Sequence, residues 1–158
     1  MAKKTFKLDV AAHNNDTVVL LGIDWPAGQK IEGCLGFAIT RIAKGGKRSV
    51  IETKLPFDGQ DDNKDWKSQP STVWPIQRKW HLDFSGKPGE TYTYEIQAMG
   101  GEPGNLKPIK GMVATTNAVT LTTKVDETFD CGFTRGILST QWLARFIGTL
   151  PDGTEGFP

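Results

Sequence analysis

Apolar residues in this chain recur mostly at every second position, in short runs broken by Gly, Pro, Asn and Asp. That spacing marks strands that bury one face. Phe6, Leu8 and Val10 alternate, the turn-forming His13-Asn14-Asn15-Asp16 follows, and Val18, Val19, Leu20, Leu21 and Ile23 complete a predicted hairpin. Leu35, Phe37 and Ile39 share one face of a strand over 35–42. It closes at Lys44-Gly45-Gly46-Lys47 before a second run over 49–53, which predicts another hairpin. The segment 58–72 is polar, acidic and without period, so it reads as a long loop in which Trp66 is the one apolar side chain. Trp74, Ile76, Arg78, Trp80, Leu82 and Phe84 alternate again, five of the six apolar. This predicts a half-buried strand with its tryptophans in the core and His81 and Asp83 on the solvent face.

A Pro88-Gly89 turn then introduces a strand whose alternate residues are Tyr92, Tyr94, Ile96 and Ala98, again one buried face. Tyr92, close to the start of that strand, is the candidate tyrosine corner, with its ring buried and its hydroxyl bonded to upstream backbone. A Gly- and Pro-rich connection over 100–111 leads to a last stretch, 112–123, with Val119 and Leu121 inward. Six or seven short strands with no helix among them predict an all-β, two-sheet antiparallel sandwich over 1–123.

After Lys124 the period changes. Ile137, Leu138, Trp142, Leu143, Phe146 and Ile147 recur at helical spacing, with Thr134 as N-cap and Pro151-Asp152-Gly153 as the stop. The region 124–158 is therefore predicted to be a linker and an amphipathic helix. Burial of each large apolar side chain is worth roughly 1.5–3 kcal/mol, so the stripe needs the sandwich, another chain or a further domain to cover it. Leu138, Trp142, Leu143 and Phe146 are the candidate docking surface.

Composition narrows the function classes. With 37% hydrophobic and 23% charged residues and a net charge of +1, the chain has neither the charge excess of a disordered protein nor a strongly basic surface, so nucleic acid is not indicated as a partner. No apolar run approaches the roughly 18 residues of a membrane span, and the start lacks the apolar centre of a secretory signal, so a cytoplasmic location is expected. Cys34 and Cys131 stand far apart in no metal-ligand spacing, and a reducing compartment predicts two free thiols.

Familiar chemistries lack their residues. No G-x-S-x-G frames a serine, and His13 and His81 are the only imidazoles. Gly45-Gly46-Lys47-Arg48-Ser49 lacks the upstream glycine and the Ser or Thr after lysine that a phosphate loop needs. Asp61, Asn63 and Asp65 match the first positions of a calcium loop, but Trp66 stands at the glycine position and Thr72 at that of the distal glutamate. No metal or other cofactor is expected. Trp66, an aromatic in a polar loop near Lys64 and Lys67, is the candidate ligand-contact residue.

Five stretches carry a resemblance: GFAITR over 36–41, LPFDG over 55–59, WPIQRKWHLDF over 74–84, PGETYTYEIQAMGG over 88–101 and FTRGILSTQWLAR over 133–145. Together they resemble the N-terminal region of bacterial phospholipase D-like proteins, which carry a fibronectin-like module ahead of the catalytic domain. The resemblance implies a fibronectin type III or immunoglobulin-like antiparallel β-sandwich with a C-terminal amphipathic helix, and a helix from about Thr134 that begins the phosphodiesterase domain. The family's chemistry needs H-x-K-x4-D, with histidine as nucleophile and lysine neutralising phosphate oxygens. His13 has Asn15 and Leu20 at the lysine and aspartate positions, and His81 has Asp83 and Pro88, so no catalytic residue carries over. The expectation is a non-catalytic accessory module that positions or regulates a phospholipase D-like phosphodiesterase, meeting a catalytic domain or another chain through its helix. The alternative is a stand-alone sandwich that binds carbohydrate, nucleic acid or a protein partner.

Overall fold

Two antiparallel sheets face each other in a computed structural model that describes residues 6–59, 63–124 and Thr128. The strands in chain order are β1 (Asp9–Asn14), β2 (Val19–Asp24), β3 (Cys34–Ala43), β4 (Arg48–Val50), β5 (Glu52–Thr53), β6 (Gln69–Pro70), β7 (Trp80–Asp83), β8 (Thr91–Glu102), β9 (Asn105–Thr115) and β10 (Val119–Thr120). One sheet runs β1-β2-β7; the other runs β10-β8-β3-β4, with β9 also on β8, and β5-β6 forms a short separate ribbon. The described part is thus an all-β antiparallel sandwich, as the alternation predicts. No helix occurs among the described residues; the predicted C-terminal helix with Leu138, Trp142, Leu143 and Phe146 lies outside them, as does Cys131.

Alternation builds the core directly. Val19, Leu21 and Ile23 of β2 face Tyr92, Tyr94, Ile96 and Ala98 of β8, joined by Phe37 and Ile39 of β3 and by Val119 and Leu121. The β1-β2 turn is set by Asn15, buried, whose side-chain oxygen accepts the amides of Thr17 (2.9 Å) and Val18 (2.8 Å), so the side chain itself stands in for a turn backbone.

Polar side chains complete the ladders where strands break. The β3 edge is covered by β4 only at Thr40–Ile42. Beyond that point buried Ser71 takes the Ile39 amide on its hydroxyl oxygen (3.0 Å), and Phe37 and Ile76 exchange two backbone bonds of 3.0 and 2.9 Å. Between β9 and β10, the Thr116 hydroxyl accepts the Tyr94 amide (3.1 Å). The neighbouring Asn117 side chain exchanges two 2.9 Å bonds with the backbone of Ala12 in β1, linking the two sheets. Among the described residues no buried side-chain nitrogen or oxygen lacks a partner, which is the condition for burying so much polar surface without loss.

The fold departs from the sequence reading at three places. The connection expected over 100–111 is a hairpin, since β8 continues to Glu102 and β9 starts at Asn105. The loop 58–72 is stapled back, with β6 paired to β5 and the Asn63 amide donating to the carbonyls of Lys54 (2.8 Å) and Lys67 (3.0 Å). The strand expected over 74–84 shrinks to β7, and its phase is inverted: Trp74 and Ile76 are buried, but Trp80 is exposed and Asp83 is buried. Residues 77–79 are exposed and lie outside any strand, so the parity of Trp74 does not carry through to Trp80.

Candidate functional site

Asp83 enters the interior from β7 and meets side chains of the opposite sheet. Its Oδ2 accepts the Tyr94 hydroxyl of β8 (2.9 Å) and Arg41 Nη1 of β3 (3.1 Å), while its Oδ1 accepts the Ser85 amide (2.8 Å) and hydroxyl. Arg41 also donates to Ser85 Oγ (2.6 Å) and lies with Cζ 4.9 Å from the Tyr92 ring centroid. Tyr92 is buried, and its hydroxyl accepts the Lys87 amide (3.1 Å), tying β8 to the connection before it. Arg41, Asp83, Tyr94 and Ser85 form a polar bridge between the two sheets.

Electrostatics follow from that bridge. Burial alone would raise the Asp83 carboxyl, but the Ser85 hydroxyl and amide, the Arg41 guanidinium and the Tyr94 hydroxyl outweigh it and hold the group below its ordinary range. The same burial, with the Asp83 charge beside it, pushes the Tyr94 phenol far up. Burial also pulls the His81 imidazole down, opposed by Asp83 and assisted by Arg78. Both His81 and Asp83 therefore bind protons more weakly folded than unfolded, so each supplies stability at neutral pH that is lost on acidification. The thermal midpoint should fall in two stages, the first below about pH 6.5 and the second below about pH 4, these being the ordinary values of the two groups. His81→Gln should remove the first stage alone, and a midpoint flat from pH 7 to 5 in the parent protein would refute the assignment.

Above the bridge runs a groove of about 1590 Å3 between β7 and its continuation through Ser85 on one side and β4 with the connection 51–59 on the other. It exists because β4 and β7 are short end strands of their respective sheets. Val50 (41% exposed), Leu55 (58%), Trp80 (46%) and Phe84 (39%) give it an apolar rim. Arg78 stacks over Trp80 with Cζ 4.7 Å from the ring centroid, and Lys54 Nζ lies 5.7 Å from the ring of Trp66. Arg41 and Asp83, both lining the groove, are paired to each other. Such a surface suits an apolar or aromatic partner.

No family model matches the chain, and no curated protein matches it. Among solved structures, it is similar to a Fn3-like protein from Clostridium thermocellum. That alignment covers 80% of this chain and 100% of the other, at 13% identity and a TM-score of 0.41.

The structure places the sequence candidates apart. Trp66 is half exposed at a left-handed backbone position (φ 54°), beside Lys54 and off the groove lining. Tyr92 is interior, and no group of three or more His, Cys, Asp or Glu suited to a metal occurs among the described residues. Cys34 is a free thiol raised by burial. No helix among the described residues is long and apolar enough to cross a membrane. Sequence reasoning missed the groove residues Val50, Leu55, Trp80 and Phe84. The available signal was Asp83, which sits on the same strand with opposite parity to Trp80.

Proposed function

We propose that this chain is a non-catalytic accessory module that docks and positions, or regulates, a phospholipase D-like phosphodiesterase domain. The observation that carries the reading is the exposed apolar rim of Val50, Leu55, Trp80 and Phe84 along one groove between two sheet edges. Exposing four large apolar side chains in one lined groove has a solvation cost that a partner surface removes. The chemistry in reach fits that role: the buried Asp83 and half-buried Arg41 of the groove lining are spent on each other and on Tyr94 and Ser85. The identity of the partner rests on the resemblance of 133–145 and the strand motifs to the region ahead of such catalytic domains.

The test is titration calorimetry of the full chain against a phospholipase D-like catalytic domain from the same genome. Saturable binding is expected, weakened about tenfold or more by the double substitution Trp80→Ser and Phe84→Ser, in line with aromatic anchors dominating interfaces. Heat of dilution alone, or binding indifferent to both substitutions, would refute the proposal.

A further inference from the structure

We infer that the partner engages this groove through an extended segment that pairs with the free edge of β7 and adds a fourth strand to the β1-β2-β7 sheet. The inference rests on the docking role proposed above and names the element that docks. Backbone parity is the first argument. Ile23 N donates to Lys79 O (2.8 Å), and β2 and β7 continue in that register through Leu21 opposite His81 and Val19 opposite Asp83. In an antiparallel ladder such pairs exchange both bonds, and the residues between them turn their N–H and C=O outward. The backbone groups of Trp80 and Leu82 therefore point away from β2, and they have no partner among the described residues.

The second argument is that the other sheet edges are blocked. On β1 the outward groups of Ala12 are taken by the Asn117 side chain, at 2.9 Å each, and the Asn14 amide donates to the Thr120 carbonyl. β9 carries Lys107, Pro108 and Lys110 and shifts register between Pro108 and Val113. β4 spans only Arg48–Val50, begins on a charge and leads into β5, which β6 covers. Charge, proline, irregularity and cover are the features that keep an edge from pairing. The outward positions of β7 have none of them and present Trp80 and Leu82, with exposed Phe84 following. Because β7 lies in a groove opposite the wall 51–59, the occupant is a free extended segment. A second folded copy would bring its own wall with it. Register also fixes what the segment carries: the two residues opposite Leu82 and Trp80, i and i+2, lie about 6.8 Å apart. Cross-strand neighbours share a face, so both are apolar and pack beside Trp80 and Leu82, next to exposed Leu20.

Residue-resolved amide exchange by NMR on the full chain, alone and saturated with the catalytic domain of the titration above, tests this. In the free chain the Trp80 and Leu82 amides should exchange openly while those of His81 and Asp83, bonded to β2, are protected; saturation should slow Trp80 and Leu82 about tenfold or more. Leu82→Pro removes an outward N–H and no ladder bond, a position at which an edge strand tolerates proline. It should weaken binding about tenfold beyond Leu82→Ala, which keeps that N–H. Equal binding by the two variants, or protection of Trp80 and Leu82 in the free chain, would overturn the inference. So would protection that rises with protein concentration, since the occupant would then be a second copy. Amides that stay open at saturation would also overturn it, yet leave the docking role standing with a partner held by side chains alone. If the catalytic domain does not bind, the docking role fails by itself, and a capped hexapeptide of alternating valine and threonine takes its place in the same measurement. Slowed exchange at Trp80 and Leu82 then supports strand addition, and unchanged exchange refutes it.

Discussion

Replacing Asp83 by Ala is expected to lower folding stability by about 3–5 kcal/mol, the range for breaking a buried ion pair from one side. The reason is what the change leaves behind. Arg41, whose side chain is only 16% exposed, would keep its charge with Ser85 as its remaining partner in the bridge, and the buried Tyr94 hydroxyl would lose its acceptor. The two sheets would then face each other across an uncompensated cation. For a domain of this size that loss lowers the thermal midpoint by roughly 10–20 °C. Urea unfolding followed by tryptophan fluorescence measures it. If the penalty is the orphaned cation, adding Arg41→Met to Asp83→Ala should restore much of the stability, because an apolar replacement of a buried pair is often neutral. A single-variant loss under about 1 kcal/mol would show that the bridge contributes no more than an ordinary hydrogen bond.

The second large effect is expected at Gly36, where alanine should cost about 2–4 kcal/mol by combining backbone strain with overpacking. Gly36 follows the register shift in β3 and has φ of 152°. A Cβ there would sit 2.9 Å from the Ile76 carbonyl oxygen and 2.9 Å from Pro75 Cβ. One of these neighbours is backbone, so the methyl is accommodated only by moving the 71–76 segment off β3. That movement breaks the two Phe37–Ile76 bonds and draws Ser71 away from Ile39. Amide exchange at Phe37 and Ile39 should accelerate along with the global loss. Gly45→Ala is the control, since nothing lies within 4 Å of its added Cβ, and its effect should stay within about 0.5 kcal/mol. Equal effects at the two glycines would rule out close packing at Gly36 as the cause.

Both changes act on features that periodicity does not reveal. Alternation located β1 to β3 and β8, because there each strand has one apolar face and a turn residue at its end. At β7 the rule of apolar inside and polar outside fails. Asp83 is interior because Arg41, Tyr94 and Ser85 satisfy it, while Trp80 and Phe84 remain at the surface, Trp80 with Arg78 stacked on its face. Those partners lie 42 and 11 residues away from Asp83 for Arg41 and Tyr94, so no local window contains the reason. The groove was hidden by the same inversion. Val50 and Leu55 come from a segment without clear period, and only the position of β4 and β7 at the ends of their sheets brings them to one rim with Trp80 and Phe84.

Taken alone, the order of residues determined the antiparallel strands β1, β2, β3 and β8, since a period of two after each turn allows one buried face and no helical stripe. It also determined that no H-x-K-x4-D lies in these 158 residues, since that depends on identity and spacing only. Tertiary structure alone decided the phase of β7, the bridge between the sheets and the groove above it. Each of these depends on which strands end up opposite or at an edge, and sheet pairing joins residues too distant in the chain for any local pattern to record them.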